Sequence, residues 1–307
     1  MSVLSSPAPV VAEEKPAALR LLAMLWRDKV ALVAAIFLVL VVLCAILGPH
    51  FLEAAATKQN LRGRNMAPFS LSQGWLFVLG ADQLGRSLLA RIVVAAQSTM
   101  LVAAGAVVCS AIIGTVLGLL AGYGGKRTGE AIARLGDVIM SFPSLLLAVI
   151  VLYVLSPSVG NLVIVLAITR IPVYLRTARA EILEVRERMF VQAAKVMGAS
   201  HGRIMFRHIL PVVAPTLLTI ATLDFAFVML AESSLSFLGI GIQPPDITWG
   251  LMVAQGRPYL SNAWWLSFWP GLAIILTTMS LNLLSGWMRI ALDPVQRWRL
   301  EGTRKNG

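Results

Sequence analysis

Stretches without charge alternate with short polar segments along the chain, and the apolar stretches have the length a lipid bilayer requires. Val30 to Leu47 is uncharged and long enough to span. Ile92 to Gly125 carries no charge and exceeds the need of one span, so the pattern predicts a membrane helix over about 98–121 with the preceding turns against the outer surface. Further spans are predicted over about 131–155, kinked near Pro143, and over about 161–178, 212–236 and 265–288. Gly114, Gly118 and Gly122 recur every four residues, a small-residue stripe that lets another helix approach closely, from this chain or from a second subunit. Residues 1 to about 18 are rich in Ser, Pro, Ala and Glu and read as disordered. From Gly48 to about Arg91 the chain is polar and punctuated by Pro49, Gly63, Pro68 and Gly74, which reads as a small extracytoplasmic feature. Within it Asp82 fits the N-cap of a short helix carrying Leu84, Leu88, Leu89 and Ile92 on its apolar side.

One segment breaks the alternation. Glu181 to Pro211 is the longest charge-rich stretch between two spans. At helical spacing Val185, Met189, Ala193 and Val196 form an apolar stripe, while Glu184 and Arg188 sit one turn apart on another face. Gly198 interrupts the pattern, as a residue free to take a left-handed helix-ending conformation does. A second short apolar run (Ile204, Met205, Phe206, Ile209 and Leu210) stops at Pro211, a residue suited to begin the next helix. The stretch therefore reads as helix, turn and short helix. It is either a solvated loop on the bilayer surface or a docking element for a partner protein.

Charge supplies orientation and excludes several classes. Hydrophobic residues make up 58% of the chain and charged ones only 13%, which marks an integral membrane protein. The formal net charge of +11 comes from basic residues scattered between spans, so membrane orientation explains it and nucleic acid does not. Arg20, Arg27 and Lys29 before the first span place the N-terminus in the cytoplasm, and Arg297, Arg299, Arg304 and Lys305 place the C-terminus there too. The first apolar run is longer than a signal-peptide core, so an uncleaved anchor is expected although Ala54-Ala55-Ala56 could mimic a cleavage site. Trp264, Trp265 and Trp269 mark an outer interface belt. Cys44 and Cys109 lie inside apolar runs, and His50, His201 and His208 lack metal-ligand spacing, so neither a disulfide framework, a metal nor a cofactor is indicated. Gly124-Gly125-Lys126-Arg127 fails as a phosphate loop, because Leu120 and Arg127 stand where glycine and a hydroxyl residue are needed.

Ionisable residues inside the spans need partners. Arg170 in the fourth span should face a polar cavity or an acid, and Asp224 and Glu232, near one face of the fifth, should line a cavity or bind a basic group. Asp137, one turn after Arg134, reads as its local pair.

Gln192-Ala193-Ala194, Gly198 and His208-Ile209-Leu210-Pro211 resemble the "EAA loop" of ABC-importer permeases, with Gln192 in place of the usual glutamate. Three further stretches are similar to the dipeptide, oligopeptide and nickel permeases. Gly80-Ala81-Asp82-Gln83-Leu84-Gly85-Arg86-Ser87 is close to G-T-D-x-x-G-R-D, departing at Ala81 and Ser87. Glu232 to Gly239 with Gln243 to Gly250 is close to E-A-S-L-S-F-L-G and Q-P-P-x-P-x-W-G, departing at Ile247 and Thr248. Ala291-Leu292-Asp293-Pro294 matches A-L-D-P.

The resemblance implies an all-α integral membrane protein with the six-helix type I ABC-importer permease fold and both termini cytoplasmic, in the cytoplasmic (inner) membrane. It divides the chain into a tail (1–29), a first span with an extracytoplasmic segment (30–91), a five-helix core with coupling helices at 181–211 (92–293) and a tail (294–307). The implied partners are a second permease subunit, two ATP-binding subunits that hydrolyse ATP, an extracytoplasmic substrate-binding protein that largely sets specificity, and membrane lipid. The chain itself would not be an enzyme. Its coupling residues would be Met189, Gln192, Ala193, Ala194, Gly198, Ala199 and Arg203, and Arg170, Asp224 and Glu232 would belong to the translocation path or gate. The cargo would be peptides or related small solutes. The rival is an ion-coupled transporter or channel that uses Asp224, Glu232 and Arg170 as a relay. It leaves 181–211 unexplained, and no internal repeat supports it.

Overall fold

The computed structural model describes residues 17–70 and 74–292. Most of the N-terminal stretch expected to be disordered, and Asp293-Pro294, lie outside the described residues. Among the described residues every regular element is helical, and the only extended pairing is an isolated antiparallel bridge between Ala81 and Ser87.

The first two helices, α1 (Ala17–Arg27) and α2 (Lys29–Thr57), meet at Asp28, whose carboxylate accepts from the N–H groups of Val30 and Ala31 at 3.1 Å each. The third, α3 (Leu88–Tyr123), is unbroken over 36 residues, about 54 Å of helix against the ~30 Å hydrocarbon core. The turns before residue 98 are therefore part of the same rod rather than a separate surface segment. Its N-cap is Ser87, whose Oγ accepts from the Ala90 N–H at 3.2 Å, and not Asp82.

The expected third span is broken rather than kinked. It forms α4 (Lys126–Met140) and α5 (Ser144–Leu155), bent by 83°. Pro143 supplies no N–H and its ψ of 124° is not helical, so the helical ladder stops there. Because α4 lies against α6 (Val159–Val185), Asp137 pairs with Arg176 of α6 rather than with Arg134.

After α6 come the short α7 (Met189–Val196) and the single turn α8 (His201–Arg203). A π-helical turn over Ile204–Ile209 then carries the chain into α9 (Leu210–Phe237) without a stop. Pro211 sits in the first turn of α9, where a missing N–H is tolerated, and marks no boundary of its own. Thr248 caps α10 (Trp249–Gly256), a helix unforeseen in the sequence, and α11 (Trp265–Leu292) closes the bundle. Among the described residues five helices are long and apolar enough to cross a membrane, six if the bent α4–α5 pair is one span.

The glycine stripe finds its partner within the chain. Gly114, Gly118 and Gly122 of α3 lie against Tyr174, Ala178 and Ile182 of α6, in the most extensive helix–helix contact among the described residues. Among the described residues most buried apolar side chains fall into two clusters. One gathers α2, α3, α6, α9, α10 and α11 around Val102, Leu162, Val228 and Leu266. The other lies beneath α7, where Tyr174, Ile182, Val191, Ala194, Ile204 and Ile209 meet.

Candidate functional site

The segment joining α6 to α9 is an elbow with a built corner. At Gly198 (φ +78°) the chain takes the left-handed conformation that L side chains avoid. The Gly198 N–H bonds the Lys195 carbonyl and the Ala199 N–H bonds the Ala194 carbonyl, both at 3.0 Å. This pair of bonds is the Schellman termination of a helix. Ser200 restarts the helix, its hydroxyl accepting from the Arg203 N–H at 3.4 Å.

The apolar stripe expected along this segment does not hold as one face. Arg186–Arg188 is a turn, so Val185 ends α6 buried while α7 starts a new register. The residues of α7 that enter the core are Val191 and Ala194. Met189, Ala193 and Val196 face out instead. Met189 and Val196 are each 88% exposed and Met197 81%, with Phe190 beside them. Gln192 and Arg203 are exposed and Ala199 half-buried. Gln192 folds back, its amide donating to the Arg186 carbonyl at 3.2 Å, which a glutamate carboxylate at this position could not do. Glu184 and Arg188 pair at 2.8 Å, as the one-turn spacing suggests.

Within the bundle, Arg170 of α6 and Asp224 of α9 form a salt bridge, and the Arg170 guanidinium lies 4.3 Å from the centre of the Phe227 ring. The partner acid that Arg170 requires is therefore Asp224. Glu232, two turns further along α9, is fully enclosed. Its oxygens accept from the hydroxyls of Ser236 at 2.7 Å and Ser233 at 3.4 Å, and it is not joined to the Arg170–Asp224 pair. The structure thus brings the elbow residues together and pairs Arg170 with Asp224, but sets Glu232 apart in its own serine cage.

The polar segment between α2 and α3 is organised by Asp82. One carboxylate oxygen accepts from the N–H groups of Leu84 and Arg86 at 2.9 Å, and the other meets Arg86 Nε at 2.6 Å and Arg91 Nη1 at 3.5 Å. Arg91 also donates to Gln255 of α10 at 3.2 Å. Asp82 therefore locks this segment onto α3 and, through Arg91, onto α10. Local spacing could not reveal this, because Arg91 and Gln255 are 164 residues apart. Among the described residues no cluster of His, Cys, Asp or Glu is arranged to hold a metal ion.

Comparison with known proteins gives concordant results. Residues 114–298 match the family described as binding-protein-dependent transport system inner membrane component. Residues 20–68 match the N-terminal TM domain of oligopeptide transport permease C. The chain is 40% identical over 270 residues to the di/tripeptide transport system permease protein DppC of Pseudomonas aeruginosa, covering 87% of this chain and 89% of that one. It is 36% identical over 275 residues to the probable D,D-dipeptide transport system permease protein DdpC of Escherichia coli, covering 90% and 91%. It is 34% identical over 269 residues to the glutathione transport system permease protein GsiD of Pectobacterium atrosepticum, covering 87% and 88%.

Proposed function

The chain belongs to the family of binding-protein-dependent transport system inner membrane components, and from that premise we propose that it is the transmembrane permease subunit of an ATP-driven importer. In this reading the bent α4–α5 pair is one of six spans in a type I permease fold, with both termini cytoplasmic and the chain in the inner membrane. The domain division at residues 29, 91 and 293 follows from it. ATP is hydrolysed in two partner subunits, a second permease completes the pore, and an extracytoplasmic binding protein delivers cargo. The relatives' names point to peptides or related small solutes as that cargo.

The observation that carries this reading is α7. Its inner residues Val191 and Ala194 anchor it in the core, while Met189, Val196 and Met197 present bare apolar surface on an element outside the candidate spans. Exposed apolar clusters of this kind mark interaction sites. An ATPase cleft is the proposed partner of Met189, Gln192, Ala193 and Arg203. Ala194, Gly198 and Ala199 hold the elbow's shape. Closure of the ATPases would displace α7, and α6 and α9, which flank the elbow, would carry that displacement into the bundle. Arg170–Asp224 would then belong to the gate between those two helices, with Glu232 fixing the far end of α9. The ion-relay reading gains nothing from this geometry, since Asp224 is taken by Arg170 and Glu232 by serines.

The test is uptake and ATP hydrolysis by the full assembly. A β-branched residue at Gly198 must either adopt the left-handed turn at a cost of order 1–3 kcal/mol or abandon it. Gly198→Val is therefore expected to lower uptake per ATP about tenfold, while Gly198→Asn, which tolerates that conformation, loses much less. Ala194→Leu, placed in a closed core position, should behave like Gly198→Val. Unimpaired transport in both bulky variants would overturn the coupling assignment.

A further inference from the structure

The elbow is joined covalently only to α6 and α9, yet three separate parts of it converge on the end of a helix formed some sixty residues earlier. Arg186, in the turn before α7, donates from Nη1 to the Gly122 carbonyl at 2.9 Å. Lys195 of α7 places its ammonium 5.8 Å from the centre of the Tyr123 ring. The His201 imidazole of α8 stands edge-on to the same ring, 5.7 Å between centroids and tilted by 73°. Tyr123 is the last residue of α3 and packs, half-buried, on the core cluster that contains Val191 and Ala194.

Each contact has a physical reason. The last carbonyls of a helix carry partial negative charge and favour a guanidinium. The face of a phenol ring is negative and attracts an ammonium within about 6 Å. Gly124 and Gly125 then turn the chain away, so nothing extends α3 past the ring. Through its glycine stripe α3 is also pressed along α6. A displacement of α7 therefore has a route into α3 that bypasses the backbone of the elbow.

We propose that Tyr123 is a positioning residue, an aromatic seat that holds the elbow in register with the α3–α6 pair so that movement of α7 drives both helices together. The proposal rests on the coupling role assigned to α7 above. It requires the ring's electronic face as well as its volume. Tyr123→Phe keeps that face, Tyr123→Leu keeps only apolar bulk, and Lys195→Met removes the cation.

Two measurements test it. The first is the rate of tryptic cleavage after Arg188 in the purified full-length chain, which needs no partner. Tyr123→Leu is expected to raise it about fivefold and Tyr123→Phe to leave it unchanged. The second is uptake per ATP in the assembly of both permeases, the ATPases and the binding protein. There Tyr123→Leu and Lys195→Met should each lower the ratio about fivefold, Tyr123→Phe should match wild type, and the Leu/Met double variant should be no worse than Tyr123→Leu alone. Wild-type behaviour of Tyr123→Leu in either assay, or additive losses in the double variant, overturns the seat. Failure of the wild-type assembly to couple ATP to uptake, or normal coupling in both Gly198→Val and Ala194→Leu, strikes at the coupling role of α7 instead, and the tryptic assay still judges whether the elbow is seated.

Discussion

Asp224→Ala in the full chain is expected to cost about 3–5 kcal/mol of stability, read as loss of folded protein during denaturant titration in mild detergent. The Asp224 side chain is 4% exposed and that of Arg170 17%, so deleting the acid strands a guanidinium between α6 and α9. The Phe227 ring at 4.3 Å offsets only part of this, because a desolvated cation–π contact is worth about 2 kcal/mol. Lipid outside the bundle makes relaxation outward costly as well. Replacing both partners by apolar residues of similar size, Arg170→Met with Asp224→Leu, should recover most of the loss, since a buried pair often gains little over well-packed hydrocarbon. A double variant as unstable as Asp224→Ala would show that the pair is not the source of the effect. Comparing uptake in the double variant with its stability then separates a gate function from a purely structural one. A stable double variant that transports normally would remove Arg170 and Asp224 from the proposed gate.

That pair also shows how far residue types alone could be read. A lone arginine within an apolar run demands an acid, and the demand was legible in the sequence. Which acid answers it is not, because the two residues are 54 positions apart with the whole elbow between them. Gly198 was legible because a left-handed helix ending is a local event. The stripe from Val185 to Val196 does not survive folding, because the turn at Arg186–Arg188 interrupts the helical spacing and resets every face that follows. Asp82 and Ser87 are both good helix caps by type. Arg86 and Arg91 claim the carboxylate, so the serine is left to start α3. Asp137 went the same way, its local spacing to Arg134 losing to Arg176 on the neighbouring helix. Tyr123 gave no signal at all, since an aromatic residue before two glycines is ordinary until the elbow folds back onto it. The six apolar runs were plain from hydropathy, but the 83° break within one of them was legible only as a proline.

Gly114→Val is expected to destabilise the chain by about 3 kcal/mol or more and to be lost largely at the level of folded yield, because the α3–α6 contact has no room to give. A Cβ at Gly114 would sit 2.5 Å from the Tyr174 Cβ and 2.7 Å from the Ile171 carbonyl oxygen, and backbone cannot step aside as a side-chain tip can. At Gly118 the obstruction is the Ala178 Cβ at 2.5 Å and the Leu175 carbonyl at 3.0 Å, whereas at Gly122 the nearest atom is the branched methyl of Ile182 at 2.8 Å. Alanine substitutions should therefore fall in order, with Gly114 and Gly118 severe and Gly122 milder. Gly160→Ala, at a helical position with nothing within 4 Å, should be neutral or stabilising by up to about 1 kcal/mol, as replacement of a helical glycine usually is. Thermal stability of this series in detergent is the measurement. Ala178→Gly added to Gly118→Ala supplies the decisive arm, since it exchanges the methyl between helices and should restore part of the stability. If it restores none, the two residues do not touch, and the rigid α3–α6 unit on which the Tyr123 seat acts would have to be given up.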